Sequence, residues 1–227
     1  GLSDYLYDFV GMMMHAENLE AAYGVGPHTI SVPRICTADD IDVTDFENAI
    51  PDAVFERLVA AIRIAVPYTG MIISTRESRQ MREKALQLGV SQLSGGSHTT
   101  VGGYEEGEDD GGTAQFDVSD RRTLDEIVSW LLDLGHIPSF CTACYREGRT
   151  GDRFMSLVKN GQIANICGPN ALMSLAEYLR DYASPGTREK GLRMIKEQMG
   201  EVPNDKVRQK ATDNLAAIER GEGDFRF

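Results

Sequence analysis

Three of the four cysteines, Cys141, Cys144 and Cys167, are clustered in the chain. Two residues separate Cys141 from Cys144, a spacing that lets one turn of chain present both thiolates to one metal centre. Gly168 and Pro169 follow Cys167 and predict a turn before a helix, whose N-terminus would stabilise a negatively charged, thiolate-bound group. A disulfide framework is not indicated, because such frameworks are typical of short secreted chains. The clustering therefore suggests a metal or redox site.

Three interpretations of the cysteines are open. A zinc site needs a fourth Cys or His ligand, which His136 could supply. A redox dithiol would use only the first pair and would leave Cys167 unexplained. A [4Fe–4S] cluster on three cysteines would leave one iron open to a non-protein ligand, and most electron-storing clusters have four cysteines instead. The spacing favours a catalytic cluster, and Cys36, alone after a predicted strand, is expected to be a bystander.

Composition narrows the class of protein. The formal net charge of −12 over 227 residues argues against a nucleic-acid partner, because phosphate binding needs clustered Lys and Arg. The sequence has no run of eighteen apolar residues, so no membrane span is predicted, and its first residues do not resemble a signal peptide. A cytoplasmic protein is expected, and the acidic run 105–110 is interpreted as a solvated loop.

Helical and strand patterns alternate in the first 135 residues. Apolar spacing predicts a first helix that ends before Gly24, and Thr123 with Glu126 has capping-box spacing at the start of a later one. The other predicted elements are strands at 28–32, 71–74 and 90–93, helices near 54–62 and 81–88, and C-terminal helices at 171–179, 187–199 and 204–220. Strands that alternate with helices indicate parallel βα units.

The predicted fold class is α/β. Three parallel strands leave long unpaired edges, so we infer that residues 1–135 are the C-terminal part of a (β/α) barrel of the TIM type. A compact three-stranded domain is the alternative. Residues 136–227 have no strand pattern and are predicted to form a small, mostly helical domain with the cysteines at its entrance.

Residues 141–155, followed by Cys167, resemble the accessory-cluster motif of the [FeFe]-hydrogenase maturation tyrosine lyases, a family of radical S-adenosylmethionine (SAM) enzymes. The segments 30–34, 73–77 and 95–99 look like the last three barrel strands of that family and of its relative, the thiazole-forming tyrosine lyase of thiamine biosynthesis. Residues 102–104 and 115–116 resemble the shared continuation. The resemblance covers nearly the whole chain.

The resemblance implies an enzyme that cleaves L-tyrosine into p-cresol, carbon monoxide and cyanide and builds an iron–diatomic–cysteine precursor for hydrogenase assembly. Its partners would include the scaffold proteins of hydrogenase maturation. By this resemblance Cys141, Cys144 and Cys167 hold an accessory [4Fe–4S] cluster with an additional iron bridged by a cysteine. The family's second cluster, which binds S-adenosylmethionine, uses a Cys-x3-Cys-x2-Cys loop that this sequence lacks. We therefore expect this chain to be the C-terminal part of such an enzyme and to be inactive without the missing N-terminal barrel part. The rival hypothesis is a non-catalytic zinc- or cluster-binding scaffold.

Other site residues follow from the resemblance and from the barrel hypothesis. The family's extra iron takes a histidine, for which His15 and His28 are candidates. Arg34 and Arg76 end or follow predicted strands, where barrel enzymes carry active sites, and could clamp the carboxylate of tyrosine or of S-adenosylmethionine. An ion pair of either arginine with a neighbour such as Glu77 is the alternative. Two further candidates for binding the amino acid moieties are Ser97 and Thr99, and the methionines at 12–14 are predicted to fill the core.

Overall fold

The structure is a computed structural model that describes residues 2–38, 41–99 and 118–227. Two compact units divide the chain between Arg122 and Thr123. The elements of the first unit are α1 (Tyr5–Tyr23), β1 (Thr29–Ser31), a 3-10 turn (Val43–Asp45), α2 (Asp52–Ala65), β2 (Gly70–Ile73), α3 (Arg79–Gln87) and β3 (Gln92–Leu93). Those of the second unit are α4 (Leu124–Asp133), α5 (Ala143–Arg146), α6 (Gly151–Lys159), α7 (Ala164–Asp181), α8 (Pro185–Met199) and α9 (Asp205–Glu219). The predicted segments 102–104, 105–110 and 115–116 lie outside the described residues.

The first unit contains a small parallel sheet in the order β1-β2-β3. Ile30 pairs with Met71, and Ile73 pairs with Leu93. The predicted alternation of helices with parallel strands is confirmed, because each strand joins the next through one helix. That this sheet is part of a larger barrel remains a proposal.

The core of the first unit lies between the sheet and its helices. Its buried side chains come from the strands, from α2 and from α3: Ile30, Val32, Phe55, Val59, Ile62, Met71, Ile73, Met81, Ala85 and Val90. Met71 and Ile73 alternate with half-buried residues along β2 and are almost fully buried. These buried side chains fix the sheet against its helices. Polar groups lie beyond the carboxyl ends of the strands.

The first helix corrects one expectation about the methionines. Met12 packs against the core, whereas Met14 is 64% exposed. Leu6 and Val10 of the same helix are also more than half exposed, and only Ala16 is buried. The helix is apolar on nearly every side, so its pattern could not show which face would be covered.

The second unit is built from helices. The core has buried side chains from α4, α7 and α8: Val128, Leu132, Leu172, Leu175, Tyr178, Leu179 and Ile195. Because α4 packs on α8, the division between the units falls before α4 and not after residue 135 as predicted. No described helix is long and apolar enough to cross a membrane.

The predicted start of α4 is confirmed by a complete capping box. Thr123 Oγ1 accepts from Glu126 N–H at 3.3 Å, and Glu126 Oε2 accepts from Thr123 N–H at 2.8 Å. Asp125 also accepts a hydrogen bond from Thr187 Oγ1 at 2.9 Å, which joins α4 to the start of α8. Leu124, the first residue of α4, is 42% exposed.

Close packing of α8 on α7 leads to a test of the second unit. A Cβ added at Gly191 would lie 2.6 Å from Leu179 Cδ2, and Leu179 is only 1% exposed. We expect Gly191→Ala to destabilise the unit, because overpacking costs about 1–3 kcal/mol and alanine in a helix returns about 0.5–1 kcal/mol. Urea unfolding followed by the fluorescence of Trp130, the only tryptophan in the sequence, measures the effect.

Gly186→Ala is the matched control, because Gly186 lies in the same helix with nothing within 4 Å of its added Cβ. It should leave stability unchanged or raise it slightly. Equal stabilisation by both substitutions would show that Leu179 moves aside without cost.

Candidate metal centre and strand-end cavity

The segment that carries Cys141 is fastened to α7. Phe140 N–H donates to Ser174 Oγ at 3.2 Å, and the Phe140 ring stacks on Tyr178 with 4.9 Å between ring centroids. Ser174 and Tyr178 both belong to α7, the helix that also contains Cys167. These contacts hold exposed Cys141 to the helix of the third cysteine.

Cys144 lies within the short helix α5 and is half-buried. Ala143 N–H points to Cys141 Sγ at 3.4 Å, and the carbonyl of Cys144 accepts from Arg149 N–H at 2.8 Å. The first two cysteines are therefore presented by one turn of chain, as their spacing suggested.

Cys167 is placed differently from the sequence prediction. Gly168 and Pro169 do not form a turn before a helix, because α7 already begins at Ala164 and Cys167 lies in its first turn. Pro169 comes just after that turn, where proline removes few intrahelical hydrogen bonds, and its side chain is fully buried. Packing thus allows the helix to start earlier and to present exposed Cys167 near its N-terminus.

The three sulfurs lie close enough to influence one another. Desolvation is the largest cause that raises the pKa of Cys167 to about 11, and the neighbouring Cys144 and Cys141 raise it further. Arg149 acts in the opposite direction and lowers this pKa. The protein thus brings three thiols and one guanidinium together, an arrangement in which a positive metal centre would favour the thiolate forms.

Three cysteine side chains are a donor set that a [4Fe–4S] cluster can use. Within residues 2–38, 41–99 and 118–227, no three His, Cys, Asp or Glu side chains converge on a point where they could hold one metal ion. A structural zinc would need four ligands, each about 2.0–2.3 Å from the ion. In a [4Fe–4S] cluster each cysteine binds a different iron, so the three sulfurs stand apart around the cluster. Exposed Cys141 and Cys167 leave space for such a group.

The candidate histidines are all on exposed positions. His15 lies on α1, and His28 lies immediately before β1 with its Nδ1 3.2 Å from Thr29 Oγ1. His28 is therefore at the amino end of its strand, opposite to the end that carries Arg34. His136 follows α4 in the second unit. An iron-binding role for His15 or His28 remains a prediction.

Two adjoining cavities of about 680 and 600 Å³ lie beyond the carboxyl ends of β1 and β2. Both are lined by Arg34, Cys36, Arg76 and Ser119. The position agrees with the rule that α/β proteins carry ligands at the carboxyl ends of their strands. The cavities are the candidate binding site of the first unit.

Arg34 is held by a network of acceptors. Its Nε and Nη2 donate to the two Glu77 oxygens at 2.8 and 2.9 Å, Nη1 donates to Ile50 O at 2.9 Å, and Nη2 contacts Asp52 at 2.6 Å. Burial alone would lower the pKa of Arg34, but the Glu77 and Asp52 interactions outweigh burial and raise it. The guanidinium also lies 4.5 Å above the Phe55 ring. The alternative considered for Arg34, an ion pair with Glu77, is what the structure shows.

The remaining candidates of the first unit have separate positions. Arg76 is half-buried and lines both cavities, whereas the described lining residues do not include half-buried Ser97 and Thr99. The thiol of Cys36 points to Glu77 Oε1 at 3.6 Å, and burial together with Glu77 raises the pKa of Cys36 to about 11. Cys36 is therefore a protonated neighbour of the ion pair.

Sequence reasoning missed the residues that hold the cysteine segments together. Ser174 anchors the Cys141 segment, and Arg149 and Asn170 both contact the backbone of Phe227. Arg149 lies inside the motif that carried the family resemblance, and this was the one available signal. The partners are far apart in sequence, so spacing could not pair them.

Comparison with known protein families finds a matching domain. The Biotin and Thiamin Synthesis associated domain matches residues 31–137. Curated protein sequences contain no match.

Two solved structures are similar over nearly the whole chain. The crystal structure of HydG, a maturase of the [FeFe]-hydrogenase, is 48% identical over 100% of this chain with a TM-score of 0.94, and 49% of that chain is covered. The X-ray structure of the FeFe-hydrogenase maturase HydG from Carboxydothermus hydrogenoformans is 38% identical over 95% of this chain with a TM-score of 0.72, and 45% of that chain is covered. This chain therefore spans about half the length of the solved structures that it matches.

Proposed function

We propose, from the premise that this chain is HydG-like and corresponds to the C-terminal part of such a maturase, that its second unit binds an accessory [4Fe–4S] cluster through Cys141, Cys144 and Cys167. The observation that carries the proposal is the proximity of three sulfurs from two separate segments, since Cys144 and Cys141 both raise the pKa of Cys167. The hydrogen bond from Phe140 N–H to Ser174 fastens the Cys141 segment to α7, which contains Cys167.

The cluster would supply an iron whose fourth position is open to a non-protein ligand, here the cysteine that bridges to an additional iron. The chain's own residues would hold it and shield it. Cys141 and Cys144 would bind from one turn, Cys167 would bind from the first turn of α7, and the positive end of that helix would favour the thiolate. A histidine, His15 or His28, would bind the additional iron.

In the complete protein we propose radical S-adenosylmethionine cleavage of L-tyrosine into p-cresol, carbon monoxide and cyanide, in the service of hydrogenase maturation. S-adenosylmethionine and its own cluster would be bound by residues outside this sequence, which has no Cys-x3-Cys-x2-Cys loop. This chain alone should not turn over tyrosine.

The cavities at the strand ends are the proposed place of an amino acid moiety. Arg76, which lines both, is a candidate for binding a carboxylate. Arg34 also lines both and is paired with Glu77 and Asp52. Ser97 and Thr99 stay candidates for binding the amino acid moieties, although the described lining of these cavities does not include them. The N-terminal barrel part would pair with the outer edges of β1 and β3, each of which has one strand partner among the described residues.

Anaerobic reconstitution with iron and sulfide, followed by metal analysis and electron paramagnetic resonance (EPR) of the reduced sample, tests the proposal. We expect about four irons per chain and a cluster signal. Tight binding of about one zinc per chain without a cluster would instead support the scaffold hypothesis. For the catalytic part, the chain preceded by its N-terminal barrel part should release p-cresol from L-tyrosine, and failure of the fully loaded protein to do so would refute it.

A further inference from the structure

The segment 221–227 folds back onto the helices that carry the cysteines. Asp224 forms an ion pair with Arg146 of α5, and Arg226 Nε contacts Glu147 Oε1 at 2.7 Å. On the other side, Asp224 N–H donates to Glu177 Oε1 of α7 at 2.6 Å. We call this segment the tail. Its contacts join the Cys144 helix to the Cys167 helix.

The backbone N–H and carbonyl of Phe227 connect the tail to residues near two of the cysteines. Asn170, which is 3% exposed and lies one turn after Cys167, accepts from Phe227 N–H at 2.9 Å. Arg149 donates through Nη2 to the Phe227 carbonyl. Because Arg149 N–H also binds the Cys144 carbonyl at 2.8 Å, the guanidinium is fixed relative to both cysteine segments.

Arg149 has a buried donor that the protein does not use. Its Nε is buried and has no hydrogen-bond partner in the part of the chain that the structure describes. A buried N–H without an acceptor is destabilising, and more so on a charged group. The same residue donates its backbone N–H to Cys144 and its Nη2 to Phe227, which Asn170, one turn after Cys167, also binds. A donor of this kind beside three cysteines indicates an acceptor that arrives with the metal centre.

We propose that Arg149 donates its Nε–H to a sulfur of the cluster held by Cys141, Cys144 and Cys167, and that the tail positions it to do so. This inference rests on the proposed function of the three cysteines. Each electron added to the cluster increases its negative charge, so a positive donor stabilises the reduced state more than the oxidised state. Hydrogen bonds to cluster sulfurs and nearby charge are recognised determinants of reduction potential.

A purely structural role makes a different prediction. If Arg149 only holds the Phe227 carbonyl, its replacement would change stability and leave the electronic properties of a loaded cluster unchanged. Arg149→Lys separates the effects, because lysine keeps the charge but has no donor at the position of Nε. Arg149→Met removes both the charge and the N–H donor.

The matched control is Arg153→Gln. Arg153 is an exposed arginine on α6, close to Arg149 in sequence, and its substitution changes the net charge by the same amount. All four reconstituted proteins are titrated with a chemical reductant and followed by EPR.

We expect Arg149→Lys to lower the equilibrium constant for one-electron reduction about tenfold, which corresponds to a potential about 59 mV lower. Arg149→Met should shift the potential further, and Arg153→Gln should leave it at the wild-type value. Loaded Arg149 variants with the wild-type potential would overturn the inference, whereas a wild-type chain that takes up no cluster would refute the proposed function instead.

The wild-type chain by itself allows a second measurement. Wild-type chain with 15N-labelled arginine, reconstituted and reduced, should show a 15N hyperfine coupling in pulsed EPR, because a hydrogen bond to sulfur carries spin density to the donor nitrogen. Loss of the coupling in Arg149→Lys with retention in Arg153→Gln would assign it. The absence of any arginine coupling in the loaded wild-type protein would overturn the inference.

Discussion

Substitution of Cys141→Ser together with Cys144→Ser is expected to reduce reconstituted iron from about four per chain to nearly none. The two residues supply two of the three proposed protein ligands, and a serine hydroxyl stays protonated near neutral pH, where a thiol can become the thiolate that binds iron. Metal analysis and the EPR signal of the reduced chain measure the loss.

The fold should survive this change. Cys141 is exposed and Cys144 half-buried, so exchange of sulfur for oxygen removes little packing. Urea unfolding followed by Trp130 fluorescence should therefore give the wild-type midpoint. This result would separate loss of ligands from loss of structure.

Cys36→Ser is the matched control for the same experiment. Cys36 belongs to the first unit, where its thiol contacts Glu77 and its pKa is raised to about 11. Its replacement should leave the iron content unchanged. Retention of four irons by the double variant, or loss of iron from the control, would contradict the ligand assignment.

Asp120→Asn is expected to destabilise the first unit by about 3–5 kcal/mol, the cost of breaking a buried ion pair by removing one partner. Asp120 forms an ion pair with Arg82, which is 0% exposed, and contacts Arg122 Nη2 at 2.6 Å. Its N–H also donates to the Thr75 carbonyl at 2.9 Å. The Asp120 carboxylate thus neutralises the charge of a fully buried guanidinium. An asparagine amide is uncharged and would leave that positive charge without its partner.

The measurement is denaturation followed by far-ultraviolet circular dichroism, while Trp130 fluorescence reports the second unit separately. Asp205→Asn serves as the comparison, because the Asp205 side chain is 87% exposed in its pair with Arg208. An exposed pair contributes about 0–1 kcal/mol. Similar small effects of both substitutions would show that the buried network is not needed for stability.

The same carboxylate makes stability depend on pH. Burial would raise the pKa of Asp120, but hydrogen bonds from Arg122 and the charge of Arg82 outweigh it and lower the pKa. The stabilisation is therefore fully present above the unfolded-state pKa of about 3.9 and is lost as pH falls through the lower folded-state pKa. Below about pH 4, wild-type stability should fall more steeply with pH than that of Asp120→Asn. The same slope of unfolding free energy against pH for both proteins below about pH 4 would contradict this expectation.

Local sequence determined the elements and the first half of the candidate site. Thr123 and Glu126 predicted a cap that needs only one turn of chain, and the short apolar runs predicted the three parallel strands. The Cys141–Cys144 spacing likewise predicted two thiols on one turn, since two intervening residues leave little freedom. The HydG-like character was also visible, because a motif of consecutive residues carries it.

Only the tertiary structure decided which groups meet across long stretches of chain. Arg34 could have bound a ligand carboxylate or Glu77, and the packing of α2 and α3 around it supplies Glu77 and Asp52. The start of α7 before Cys167, against the turn signal of Gly168 and Pro169, likewise depended on burial of the proline.

The contact of Arg149 with Phe227 spans 78 positions and follows from the packing of α7, α9 and the tail. The physical reason for this difference is the distance along the chain over which each interaction acts. Capping, turn geometry and apolar spacing act over a few residues, whereas ion pairs and buried donors depend on which helices the hydrophobic core brings together.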